Sequence, residues 1–401
     1  MKAYAPQFRL EASDLGLSYS SCVENLPYVM VIGRGLKAWR ILHSEASTGW
    51  GGREGCVLAE LRGYKRAGIS LTLLAPRQRE RFCCAASDGI RTRHLRPGKW
   101  RLPFDMAGPG GCIYREGFQI VATESSSDGC LLKLASGLAA VPLVNNSKRF
   151  VVPIGNPRVS SVASARLCDH VITTSSKVTA KLIELFNIAP DRISTVTTGG
   201  DTERFRPGGP IAQVVPEAQL CGVPLVGMVS VIRGPKGYST LIRAALLLKR
   251  SGVKLHYVLV GDGPSRTHFE KEVHSSGLGG DFTFTGHRED IPEVMRALSV
   301  LATPSLHEAV PQGGLQALAC GVPVVASDVG GIHDIIKPGL TGRLFPPGDC
   351  EGLAVCIEAC LVERERTEEY RTNGMALVRS CHSLPKMLED IAGIYRRHGI
   401  E

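Results

Sequence analysis

The segment PSLHEAVPQGGLQALACGVPVVASDVGG, from Pro304 to Gly331, brings a carboxylate, a glycine pair and a helix start into one stretch. Glu308 and Gln316 stand eight positions apart with Gly313 and Gly314 between them. Backbone N–H groups at a helix start opened by glycines can hold a phosphate. The Gln316 amide both donates and accepts, which suits a ribose diol or sugar hydroxyls. A carboxylate, a flexible turn and a helix N-terminus at one place suit a charged, sugar-bearing ligand.

Three further signals sit after strand-like runs of the second half. In VSVIRGPKG, Arg233 and Lys236 are two cations three apart that can clamp a diphosphate, and Gly234 and Gly237 let backbone approach; a solvated basic turn is the competing reading. VGDGP, with Gly263, is a strand followed by a tight turn, a pattern frequent in α/β proteins at large. In ASDVGGI, Gly330 and Gly331 again permit close backbone approach.

The elements that must carry these residues alternate. WRILHSE, ISLTLLAP, FQIVATES, VPLVNN and DHVITTS read as strands, with helices at EGCVLAELRGYKRAG, CLLKLASGLAA and KVTAKLIELFN. The Pro- and Gly-rich PGGPIAQVVPEAQLCGVP reads as a linker, after which the alternation restarts at LVGMVSV. This predicts an α/β protein of two Rossmann-like doubly wound domains facing a cleft, with ligands at the carboxyl ends of the strands. The expected division is an N-terminal extension over 1–36, a first domain over 37–207, a linker over 208–224, a second domain over 225–383 and a C-terminal helix over 384–401. That helix is amphipathic and is expected to pack back on another element. Met30 is an equally plausible start.

At 401 residues the chain is too long for one ordinary core, and 43% hydrophobic content excludes wholesale disorder. No apolar run reaches the roughly 18 residues of a spanning helix, and the first residues do not read as a signal peptide. Thirteen scattered cysteines, without a Cys-x-x-Cys pair, read as reduced thiols of a cytosolic protein. Neither a metal nor a cofactor is expected, since no Asp-x-Asp motif appears. Net charge is uneven. Lys37–Pro210 carries 25 basic and 14 acidic side chains, and the remainder to the C-terminus carries 19 and 21. A basic half can touch anionic lipid, an anionic saccharide or nucleic acid. The nucleic-acid reading is weak because aromatics do not interleave the basic residues. A dehydrogenase reading is weak because no Gly-x-Gly-x-x-Gly opens a helix after the first strand.

Taken together, VIRGPKG, VLVGDGP, FTGHREDI, the opening segment and GLTGRLFPPGD resemble the glycosyltransferase group 1 family of retaining GT-B enzymes (glycosyltransferase family 4). The match is continuous from about Val226 to Leu353. ILHSEASTGWGGRE, IVATESSSDG, DHVITTS and TTGGDTERFRPG resemble landmarks of the family's first domain more loosely. The resemblance implies a nucleotide-sugar donor and a saccharide or lipid-linked acceptor, as in bacterial envelope polysaccharide or lipopolysaccharide synthesis. It implies that Arg233 and Lys236 bind the donor diphosphate, that Glu308 contacts the donor sugar, and that Gln316 holds the ribose where relatives carry Glu or Gln. Gly51 and Gly52 would approach the donor phosphates or the acceptor. The chain departs from the family where relatives carry His, having Ala122 and Glu124 in VATESSSD and Lys148 or Arg149 in VPLVNNSKRF. A nucleotide-sugar-binding protein of the same fold without turnover is therefore the second reading. The RTRH run at Arg91–His94 is read as surface. The basic half predicts a cytoplasmic protein that meets an anionic membrane surface.

Overall fold

A computed structural model describes residues 39–45, 52–76, 80–94, 113–124, 132–133, 135–137, 139–148, 168–215 and 222–400. The expected N-terminal extension, with Met30, lies outside the described residues, as do Gly51 and Arg149.

Two parallel sheets form. The first has seven strands: β1 Arg40–Ser44, β2 Ser70–Ala75, β3 Arg91–His94, β4 Ile120–Thr123, β5 Leu143–Lys148, β6 His170–Thr173 and β7 Ile193–Thr195, in the order β3-β2-β1-β4-β5-β6-β7. The second has six: β8 Leu225–Val229, β9 His256–Val260, β10 Phe282–Gly286, β11 Val300–Thr303, β12 Val324–Ser327 and β13 Gly342–Phe345, in the order β10-β9-β8-β11-β12-β13. The central strands β4, β6, β9 and β12 are buried along their whole length. Such strands read as continuous apolar or small runs because helices cover both faces.

Helices of the first unit include α1 Gly52–Arg66, α2 Glu80–Ser87 and α3 Ser176–Phe186. Ser175 caps α3 by accepting from Val178 N, and Asn187 ends it in the left-handed conformation. The second unit carries α4 Tyr238–Arg250, α5 Arg266–Ser275, α6 Ile291–Ala297, α7 Gln312–Ala319, α8 Ile332–Ile335, α9 Cys350–Val362 and α10 Arg364–Cys381. The chain then crosses back as α11, Leu384–Arg397. At the crossing, Gly200 N donates to His382 O at 2.7 Å and Leu384 N to Gly200 O at 2.9 Å.

Helix α11 completes the first core. Its Leu384, Met387, Leu388, Ile391 and Tyr395 pack with Trp39, Ile41, Leu61 and Tyr64. Tyr395 meets Trp39 edge-on at 5.7 Å and accepts a hydrogen bond from Asn145 Nδ2 at 3.2 Å. The segment after β7 packs in the opposite direction: Phe205, Val214 and Val215 enter the core of the second sheet. Arg296 Nε holds this stretch by donating to Pro210 O at 2.6 Å.

The run RTRH forms the edge strand β3, which the polar sequence concealed. Arg91 and Arg93 both pair with Glu116, at 2.9 and 2.6 Å. Charges along an edge deter pairing with another chain. Strand β7 and helix α2 also fall outside the expected elements. Among the described residues no helix is long and apolar enough to cross a membrane.

The end of α11 is fixed to β6 through two histidines. His398 Nε2 and His170 Nδ1 are 3.1 Å apart, and His170 Nε2 lies 2.9 Å from Ser194 Oγ. Burial, then the neighbouring charges of His398, Arg397 and Arg192, push the His170 pKa down from 6.5 to about 4, against an opposing pull from Asp191. Below pH 6.5 the unfolded chain takes up this proton before the folded chain does, so stability is lost as pH falls from about 6.5 to 4. Denaturant midpoints measured across that range are expected to fall with acidification, and His170→Gln is expected to flatten the dependence.

Candidate active site

A cleft of about 1360 Å³ runs between the two sheets and is lined from both. The first unit contributes the exposed face of α1, through Gly55, Ala59, Arg62 and Arg66, and the stretch from Thr198 to Asp201. The second contributes the carboxyl ends of β8, β9 and β11 with the loops that follow.

In the second sheet, consecutive connections leave in opposite directions between β8 and β11, and a crevice opens there at the carboxyl edge. The loop after β8 turns at Gly234–Lys236, a short 3-10 stretch capped by Gly237 at φ +80°. The loop after β11 lies against it, and Leu306 N donates to Pro235 O at 2.9 Å. A Cβ on Gly237 would stand 1.8 Å from Pro304 O, so only glycine lets the two loops close together. Their side chains then meet. Lys236 Nζ donates to Glu308 Oε2 at 2.6 Å, and the carboxylate side chain is only 8% exposed. Arg233 lies in the same cleft and has no ion pair among the described residues. One cation therefore neutralises the carboxylate and a second faces the cleft.

Helix α7 starts beside them, with Gln312, Gly313 and Gln316 on the cleft wall. Gly313 packs its Cα against Val229 O, where a Cβ would come to 3.1 Å. This places the α7 N-terminus against the end of β8, its N–H groups unmatched by a side-chain cap. The arrangement can hold a diphosphate between Arg233, Lys236 and the helix start, with the positive end of the helix dipole adding to the two charges.

Gly314, Gly263, Gly330 and Gly331 let chain pack on chain. Gly314 faces Ile335, and Gly263 faces the backbone of Ile232. Gly330, at φ +54°, would put a Cβ 1.6 Å from Glu308 O, and Gly331 would put one 2.4 Å from Ala309 O. The loop after β12 is thus the backstop of the Glu308 loop. Gly52 opens α1. Lys148 ends β5, and Ala122 is buried within β4, away from the cleft lining.

Several lining residues were not singled out in the sequence. His287, Arg288 and Glu289 follow β10, and Arg204 Nη2 reaches across to Glu289 O at 2.6 Å. Arg288 is held by Asp290, its Nε donating to Oδ1 at 2.8 Å. The signal for them, FTGHREDI, marked a strand end without saying which side chains face inward. Buried thiols are not nucleophiles here, since burial pushes Cys320 up to about 11 and Cys360 up to about 12. Among the described residues no group of three or more His, Cys, Asp or Glu is placed to hold a metal.

The two facing parallel sheets define a GT-B α/β fold. It is the fold of a glycosyltransferase from Rickettsia africae ESF-5, with a TM-score of 0.77 at 19% identity over 90% of this chain and 98% of that one. It is also the fold of Anabaena Alr3699/HepE, solved in complex with UDP and glucose, with a TM-score of 0.78 at 21% identity over 89% and 99%.

Residues 223–363, which hold the second sheet, match the family model Glycosyl transferases group 1. Among curated proteins, the chain is 33% identical over 179 residues to an alpha-D-kanosaminyltransferase of Streptomyces kanamyceticus, covering 44% of this chain and 46% of that one. It is 29% identical over 310 residues to a D-inositol 3-phosphate glycosyltransferase of Nocardia farcinica, covering 73% and 66%. The matches thus span less than two thirds of these relatives' length.

The Gly330 backstop generates a direct prediction. Gly330→Ala forces a Cβ into Glu308 O and a left-handed backbone onto alanine. A loss of about 2 kcal/mol or more is expected in denaturant melts, whereas Gly348→Ala, also at positive φ but with nothing within 4 Å, should cost less.

Proposed function

We propose that the chain is a retaining glycosyltransferase that moves a sugar from a nucleoside-diphosphate donor to a hydroxyl of a saccharide or lipid-linked acceptor. The observation that carries this reading is the Lys236–Glu308 pair, at 2.6 Å, beside the open cation of Arg233 and the start of α7. The leaving diphosphate gains negative charge as the glycosidic bond breaks. Arg233, Lys236 and the α7 N–H groups stand ready to offset it without reorganisation. Lys236 carries three donors and can serve a phosphate oxygen and Glu308 together. Glu308 then lies where positive charge develops on the transferred sugar, and Gln316 takes the ribose hydroxyls. Fixed cations can carry the leaving-group charge in place of a metal. Retention follows from attack on the face the donor leaves, with the departing phosphate oxygen taking the acceptor proton.

The names of the relatives support the class of reaction: D-inositol 3-phosphate glycosyltransferase and 2-deoxystreptamine glucosyltransferase among them. The UDP and glucose held by the Anabaena neighbour support a nucleotide-sugar donor. The basic first half supports an envelope role at the inner face of a membrane carrying the acceptor. The second reading, a nucleotide-sugar-binding protein without turnover, is motivated by Ala122 and Glu124 in VATESSSD and by Lys148 or Arg149 in VPLVNNSKRF, segments where the resemblance implies His.

A panel of UDP-, GDP- and ADP-sugars separates the two by released nucleotide. Release with at least one donor is expected. Glu308→Gln should lower that rate on the order of 100-fold while nucleotide still binds. Arg233→Ala should weaken nucleotide binding about tenfold or more. Binding without release from any donor would leave the second reading in place. Flotation with anionic vesicles at low salt tests the membrane: the chain should float with them and be released as salt rises.

A further inference from the structure

Behind Glu308 the chain packs in two layers. Gly330 lies against Glu308 O and Gly331 against Ala309 O, where an added Cβ would come to 1.6 and 2.4 Å. The same Cβ on Gly331 would stand 3.1 Å from Ser175 Cβ. Ser175 belongs to the first unit. It follows β6 at the carboxyl edge of that sheet, beside Thr174 of the cleft wall, and is 0% exposed. The first unit therefore touches the loop after β12 one residue away from the glycine that supports Glu308.

This loop runs directly into α8, and α8 is met twice more from outside the second sheet. At the crossing, His382 Nε2 donates to Asp334 O at 3.1 Å, with the residue 2% exposed. Burial pushes the Asp334 carboxyl up, while the charges of Lys337, Lys177 and His333 pull it back. Of these, Lys177 stands in the first turn of α3, in the first unit. Asp334 Oδ2 is buried and has no hydrogen-bond partner among the described residues, a cost that packing within the second unit alone does not explain. The turn before α3, the first turn of α3 and the crossing thus all bear on one short stretch, Gly330–Asp334.

We propose that Ser175 is a positioning residue for the transfer step: seating of the first unit presses the Gly330–Gly331 loop onto Glu308 and sets its carboxylate in the closed form. The inference rests on the transferase reading above and deepens it. A cleft that opens must part Ser175 from Gly331, because the two belong to different units. The support of Glu308 then loses its outer layer. Reacting groups need placement to fractions of an ångström, and a shift of about 1 Å can cost on the order of 100-fold in rate. The open form therefore holds donor without activating it, which spares the donor from water. Arg233, Lys236 and the α7 start all lie within the second unit, so donor binding is independent of this contact.

The full chain is assayed with the donor that it turns over, and the matching nucleoside diphosphate is the binding probe. Ser175→Asn keeps a cap for α3 and adds volume against Gly331. Its kcat is expected to fall about tenfold or more, with donor KM and diphosphate Kd within about twofold of wild type. Lys177→Glu lies at an exposed position and suits the α3 N-terminus, yet it turns a like charge toward Asp334. It should lower kcat about threefold, and Asp334→Asn in the same chain should restore it. Asp349→Ala removes the cap of α9, outside the cleft lining. It should lower the melting temperature and keep kcat. A kcat that tracks melting temperature across all variants, an equal weakening of diphosphate binding, or an unchanged kcat in Ser175→Asn and Lys177→Glu would overturn the assignment and leave the transferase reading intact. A wild-type chain that releases nucleotide from no donor would overturn both.

Discussion

A carboxylate taken almost wholly out of water must have a cation beside it, and Glu308 has Lys236. Removing one partner of such a pair strands the other, which is why buried pairs are costly to break even when they add little net stability. Everything around the pair serves to keep its members together. Gly237 lets the loop after β8 lie against Pro304, and Gly330 lets the loop after β12 press on Glu308 from behind. The pair is therefore held by three loops, each leaving the carboxyl end of a different strand.

The larger architecture follows from where those strands lie. Parallel sheets gather their loops at one edge, and two such sheets face each other across the cleft. The chain crosses between them at Gly200 and again at His382–Leu384. The second crossing hands α11 to the first sheet, where Leu388, Ile391 and Tyr395 complete a core that α1 alone would leave open. A motion of one unit against the other must pass through these two neighbouring crossings, which is the physical requirement for a cleft that opens and closes without tearing either core.

Much of the second unit was legible in the sequence because its strands are short β-branched runs ended by glycine turns. Arg233, Lys236, Glu308, Gly313 and Gln316 could be placed at strand ends from that pattern alone. Their pairing could not. Lys236 and Glu308 are 72 residues apart, and only the parallel order of β8 and β11 brings them together. A Gly after a strand reads equally as room for a ligand or as room for another loop, and at Gly263, Gly314, Gly330 and Gly331 other parts of the chain pack closely. Strand β3 was hidden because an edge strand made of RTRH has neither alternation nor apolar content.

The central claim is that the Lys236–Glu308 pair is a donor site held ready. A crystal structure of the chain soaked with UDP tests it most directly. The expected result is a diphosphate between Arg233, Lys236 and the first turn of α7, with Lys236 still touching Glu308 and the ribose at Gln316. A nucleotide bound elsewhere, or a diphosphate that leaves Arg233 and Lys236 untouched, would contradict it.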